Sequence, residues 1–187
     1  MNRRLLAAVM AVFFMLSACA RAEYIGSEPN DEIYVVQSRK HTCTLIAATM
    51  MLRSYASQND YALEDMNERT VGNKAWSSVG LSWDFTVNSI NVQVVHDIKD
   101  AEDKKAYLIH FLKYHPEGVV IYDANAPHAI WLFGYDEETD TFYCADTTTD
   151  VAGRAIRLEE SIIPGETQED KLQTIDRIWY VTGTKAV

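Results

Sequence analysis

Positive charge is scarce in this sequence. Only 17 lysines and arginines stand against 27 aspartates and glutamates, a formal net charge of −10. A nucleic-acid surface needs a basic stripe, so that class of partner is excluded. Internal repeats and low-complexity stretches are absent, which argues against a solenoid or an array. Extensive disorder is also excluded, because 48% of the residues are apolar and 24% charged, the balance of a globular domain. At 187 residues there is room for one domain with a real core. Cysteine is rare as well, with three in the chain, at positions 19, 43 and 144.

No apolar run is long enough to span a bilayer comfortably. The run from Leu5 to Leu16 follows Arg3 and Arg4 and has the length of a secretory h-region. Residues 1–22 therefore read as an export signal. Two exits compete. Leu16-Ser-Ala-Cys19 resembles a bacterial lipobox, which would make Cys19 a lipidated N-terminus, and Ala20-Arg-Ala22 is a small-x-small cleavage site. The lipobox is favoured because the rare cysteine sits at its one decisive position. Membrane contact is then expected only through that lipid anchor, and the location is the cell envelope or the outside. Outside the cytosol Cys43 and Cys144 could pair as a disulfide.

After this signal, residues 23–31 read as an entry loop and residues 32–187 as one domain. A β-rich run over 32–36 leads to Gln37. A helix begins at Cys43 and runs to about residue 57, apolar nearly all round, which makes it the central buried helix. A second helix is expected over 60–71, capped by Asn59 or Asp60 and stopped by Gly72, and a short one over 81–90 with Ser82 as cap. A strand follows at 91–95. A further helix covers 99–115 and ends before Pro116. Strands are then expected at 119–122, 128–135, 141–146, 154–158 and 177–181, with a polar helix at 168–175. The class is α+β, a helical first half facing an antiparallel second half, with a cleft between them.

Chemistry enters at Cys43. A thiol at a helix N-terminus feels the positive end of the helix dipole, which favours the nucleophilic thiolate. Gln37 stands six residues upstream. His128 and Asp146 lie on neighbouring predicted strands. With a five-residue loop over 136–140, Tyr135 falls opposite Thr141 and Asp146 opposite Ile130. His128 shares the face of Ile130, so His128 and Asp146 become diagonal neighbours on one face. A one-residue slip would separate them. Cysteine, histidine and an acidic orienter, distant in sequence, are the parts of a thiol nucleophile site. His128 takes the thiol proton, Asp146 orients the imidazole, and Gln37 with the Cys43 N–H receives the oxyanion.

Gln-x5-Cys opening an apolar helix is similar to the papain-like cysteine peptidases. Pro127-His128-Ala-Ile-Trp-Leu-Phe-Gly-Tyr-Asp136, a hairpin, and then Asp146 resemble the branch containing the bacteriocin-processing peptidases that cut after double-glycine leaders. The resemblance implies a papain-like fold and thiol peptidase activity on a peptide or protein substrate. It carries over Cys43, His128, Asp146 and Gln37, with no cofactor and no metal. Two departures stand out. Thr44 follows the nucleophile where many relatives have a small residue, and three threonines follow Asp146 where relatives often have proline. Those leader peptidases are usually fused to a transporter, which is missing here, so their substrate is not implied. The alternatives are an inactive peptide-binding protein on the same fold and a peptidoglycan amidase of the NlpC type.

Overall fold

The helix that begins at Cys43 organises the molecule. The computed structural model describes residues 22–148 and 152–184. The export segment with Cys19 lies outside the described residues, apart from its last residue, Ala22. Helix α1 spans Cys43–Gln58. No glycine or proline interrupts it. Its Leu45, Ile46, Met50, Met51 and Leu52 are all buried. Each such side chain contributes about 1.5–3 kcal/mol of gross burial free energy.

The remaining elements, in chain order, begin with strand β1 at Tyr24–Gly26, before α1. After α1 come helix α2 (Glu68–Ala75) and strands β2 (Trp76–Ser77), β3 (Gly80–Leu81), β4 (Phe85–Val87) and β5 (Ile90–Val95). Helix α3 (Lys104–Tyr114) leads to strands β6 (Val119–Asp123), β7 (His128–Asp136), β8 (Thr141–Ala145) and β9 (Ile156–Arg157). Helix α4 (Gln168–Thr174) and strand β10 (Ile175–Thr184) close the described chain. Strands β2 and β3 form a separate small pair. The main sheet runs β4-β5-β10-β6-β7-β8-β9, with β1 added to β7, and its pairings are antiparallel.

This is an α+β protein, but the division into halves is less simple than expected. Strands β4 and β5 come from the first half, and helices cover both faces of the sheet. One core joins α1 and α2 to Val120, Ala129, Trp131 and Phe133. The other joins α3 and α4, through Leu108, Leu112 and Leu172, to Val119, Ile121, Ile130 and Leu132. Alternating residues of β6 and β7 thus feed opposite cores, as the pleat demands. The middle of β7 is covered on both faces, which explains its nearly continuous burial.

Four expectations need correction. Residues 32–36 are not a strand. The chain there crosses over the sheet: Ile33 drops into the core, Tyr34 meets Trp131 edge-on, and Arg53 holds the Glu32 carbonyl. The helix expected over 60–71 is a 3₁₀ turn at Leu63–Asp65 followed by α2. Its cap is Asn67, whose side chain accepts from the Thr70 N–H at 3.0 Å, and the helix continues through Gly72. The helix expected over 81–90 is strand instead. Phe85 and Val87 are buried on alternate positions, and Asn88 and Ser89 both take positive φ, forming a two-residue hairpin turn. The helix expected from residue 99 starts only at Lys104, where Asp103 caps it. In addition, the entry loop is not a loop throughout, since β1 pairs with the far end of β7.

Candidate active site

Three of the four predicted residues meet at one end of the sheet. Cys43 opens α1 and is half-buried. Its thiol lies against the His128 imidazole, close enough for each to act on the other's ionisation. His128 is the first residue of β7 and is only 7% exposed. Its Nε2 lies 2.9 Å from Asp146 Oδ1, and Asp146 is fully buried. With Nε2 engaged by the carboxylate, Nδ1 is the ring nitrogen left for the sulfur.

The hairpin that joins His128 to Asp146 solves its geometry with a device the sequence reading lacked. The loop is one residue shorter than expected: Asp136 pairs with Thr141 and Tyr135 with Phe142. Followed unchanged, that register would set Asp146 opposite Trp131, on the wrong face. A bulge at Phe133 intervenes, between the Gly134–Tyr143 and Leu132–Cys144 pairs. Beyond it Trp131 pairs with Ala145. The next step places Asp146 opposite Ile130 and diagonal to His128, the relation derived from the longer loop.

Electrostatics favour an ion pair. Burial pushes the Cys43 thiol up, but the His128 hydrogen bond and charge, with the N–H groups of Ala129 and Thr44, outweigh it. Its pKa falls below the ordinary thiol value. Burial pushes His128 down, but hydrogen bonds to Asp146 and Cys43 outweigh that and raise it to about 9. Burial likewise opposes ionisation of Asp146, whose pKa is nevertheless lowered by His128 and the N–H groups of Ile162 and Thr148. The first turn of α1 holds no acidic residue, so nothing there opposes the helix dipole at the sulfur.

Asp146 is held on several sides. Its Oδ1 also accepts from Thr148 N and Oγ1, each at 3.2 Å, and Oδ2 accepts from the Ile162 N–H at 2.9 Å. The segment carrying Ile162 is pinned by a buried lysine. Lys171 Nζ donates to Ser161 O at 2.9 Å and to Ile163 O at 2.5 Å. Neither Lys171 nor Ile162 stood out in the sequence, because both act through backbone atoms. The threonines after Asp146 also find a use: Thr148 bonds the carboxylate, and Thr147 Oγ1 donates to Gln37 Oε1 at 3.0 Å.

Gln37 is positioned differently from the other three. Its backbone N–H donates to Thr147 O, and its Nε2 donates to Arg39 O. It is therefore fastened to the strand end next to Asp146, with one amide hydrogen committed to Arg39 rather than aimed at the thiol. The rival histidines lie elsewhere. His41 is an exposed loop residue with positive φ, His96 packs edge-on against Trp83, and His110 and His115 belong to α3 and its end. Cys144 is free, as is Cys43, and is fully buried in the core on the other sheet face, so no disulfide joins them. Two cavities flank the trio without including it. One of about 590 Å³ is lined by Arg39, Thr42, Glu68, Arg69 and Trp76, and one of about 270 Å³ by Gln37, Lys40, Thr147 and Thr148.

Among the described residues no cluster of histidine, cysteine or carboxylate side chains could hold a metal ion, and no helix is long and apolar enough to cross a membrane. Comparison with family models, with curated proteins and with solved structures finds no match.

Proposed function

We propose that this chain is an exported cysteine peptidase-like hydrolase with a papain-like fold, cleaving peptide bonds through Cys43, His128 and Asp146. The observation that carries the reading is the relay itself: a helix-start thiol on an imidazole whose far nitrogen meets a buried carboxylate at 2.9 Å.

The cycle follows from these positions. The Cys43 thiolate attacks the scissile carbonyl carbon, and the carbonyl electron pair moves onto oxygen. The Cys43 N–H, at the positive end of α1, lies where that oxyanion forms. The second hydrogen on Gln37 Nε2 is the proposed side-chain donor. As the C–N bond breaks, His128 passes its proton to the leaving amine, and a thioester remains on Cys43. Water then attacks the thioester, His128 takes its proton, and the acid product leaves as thiolate and imidazolium are restored. Asp146 keeps Nε2 protonated and the ring in place throughout. Burial of Asp146 and His128 strengthens this hold by limiting solvent screening.

The test is labelling of the intact protein with peptide electrophiles, read by mass spectrometry. Fast, selective modification of Cys43, and loss of peptide cleavage in Cys43→Ala, are expected. Equal, slow labelling of Cys43 and Cys144 would rule the peptidase out. Release of stem peptides from purified cell wall would shift the assignment to an amidase on the same machinery. Export is tested by fractionation, and the lipid by a mass increment on Cys19.

A further inference from the structure

A third cavity, of about 300 Å³, lies where β1 and the crossing segment meet the outer half of β7. Tyr24, Tyr34, Phe133 and Tyr143 wall it, with the carboxylates of Glu28 and Asp136 at its margin. By strand rise Phe133 is roughly 17 Å along β7 from His128, so this is not the thiol site.

Its walls are specifically built. Phe133 is the bulged residue of β7, and its ring packs on Trp131 with centroids 4.8 Å apart. Gly134 follows, and a Cβ there would overlap the Tyr24 phenol, so the glycine is what lets that ring lie against the strand. The Tyr24 and Tyr143 rings stand 6.1 Å apart at 40°. None of the three phenol hydroxyls has a protein hydrogen-bond partner among the described residues, whereas Asp136 is held by Glu138 N and by Thr139. Glu28 is exposed and acts electrostatically on both Tyr24 and Tyr34. Among the described residues no lysine or arginine lines the space.

An anion is excluded by this charge pattern. Four aromatic rings and two carboxylates around a space of this size suit a cation with a broad, weakly hydrated face. We propose that this cavity binds an organic cation, the quaternary ammonium head of a small molecule or the guanidinium of an arginine side chain. The attraction is of ring quadrupoles and carboxylates for the positive head. A neutral group of the same shape gains only the apolar contact.

Calorimetry on the full chain carrying Cys43→Ser tests this apart from any thiol chemistry. Two matched pairs are titrated: choline against 3,3-dimethylbutan-1-ol, and N-acetylarginine amide against its citrulline counterpart. The charged member of one pair is expected to bind about tenfold more tightly than its neutral partner, and the pair that shows the preference identifies the source of the cation. Glu28→Gln, a change at an exposed residue that leaves the fold intact, should weaken that binding severalfold, as should Tyr143→Leu. Equal binding of charged and neutral members, absence of binding by both pairs, or indifference to Glu28→Gln would overturn the proposal.

Discussion

Replacing Asp146 with asparagine tests the relay at its buried end. The substitution keeps the shape and removes the charge facing His128 Nε2. His128 is raised from 6.5 to about 9. That difference corresponds to about 3 kcal/mol of preference for the imidazolium, supplied jointly by Asp146 and Cys43. If Asp146 supplies about half, its loss makes the thiolate–imidazolium pair about tenfold rarer near neutrality. The assay is the second-order rate of Cys43 alkylation by iodoacetamide, read by intact mass between pH 5 and 10. In the native chain the rate should begin to rise at a lower pH than for an ordinary thiol, because the Cys43 pKa is held below the usual thiol value. In Asp146→Asn it should fall about tenfold at pH 6.5 and converge with the native rate near pH 10, where any accessible thiol is ionised. Cys144, fully buried and with its pKa pushed well up by burial, should stay unlabelled until the protein unfolds. A rate at pH 6.5 unchanged by the substitution, or a loss equal at every pH, would refute this electrostatic account.

In a Cys43→Ser background, where the site thiol is gone, the hydrogen bond to Asp146 still holds the pKa of His128 above its ordinary value, which stabilises the fold fully below about 6.5 and progressively less as pH rises through the folded-state value. The melting temperature should therefore decline over that window, and adding His128→Gln should flatten the decline. Lys171→Met leaves the Ser161 and Ile163 carbonyls without their buried donor. It should cost about 2–4 kcal/mol by denaturant titration and, by loosening the Ile162 N–H on Asp146, slow Cys43 alkylation at pH 6.5 more than at pH 10. Gln37→Ala should lower peptide turnover by about a hundredfold with little change in alkylation by iodoacetamide, since that reaction builds no oxyanion. Gly118→Ala places a Cβ 2.5 Å from Trp131 Nε1 and 2.6 Å from Leu132 O at a backbone φ of +84°. A loss of about 2 kcal/mol or more is expected in the same titration.

Local pattern was sufficient for much of this molecule. The start of α1 at Cys43, the run of β7 from His128 and the strand leading to Asp146 follow from side-chain periodicity and turn residues, which depend on near neighbours. The shared face of His128 and Asp146 was derived from a loop one residue too long, and it holds only because the bulge at Phe133 offsets that difference. Tertiary packing decided what depends on distant partners. It bent β7 at Phe133 and so restored the register, and it carried residues 32–36 across the sheet instead of into it. It also fastened Gln37 to Thr147, set Lys171 behind Asp146 through two backbone carbonyls, and put Cys144 on the sheet face away from Cys43. A sequence shows which side chains alternate along an element. It does not show which backbone groups far along the chain will be left seeking a partner; here those are the Ser161 and Ile163 carbonyls, which take Lys171, and the Ile162 N–H, which takes Asp146.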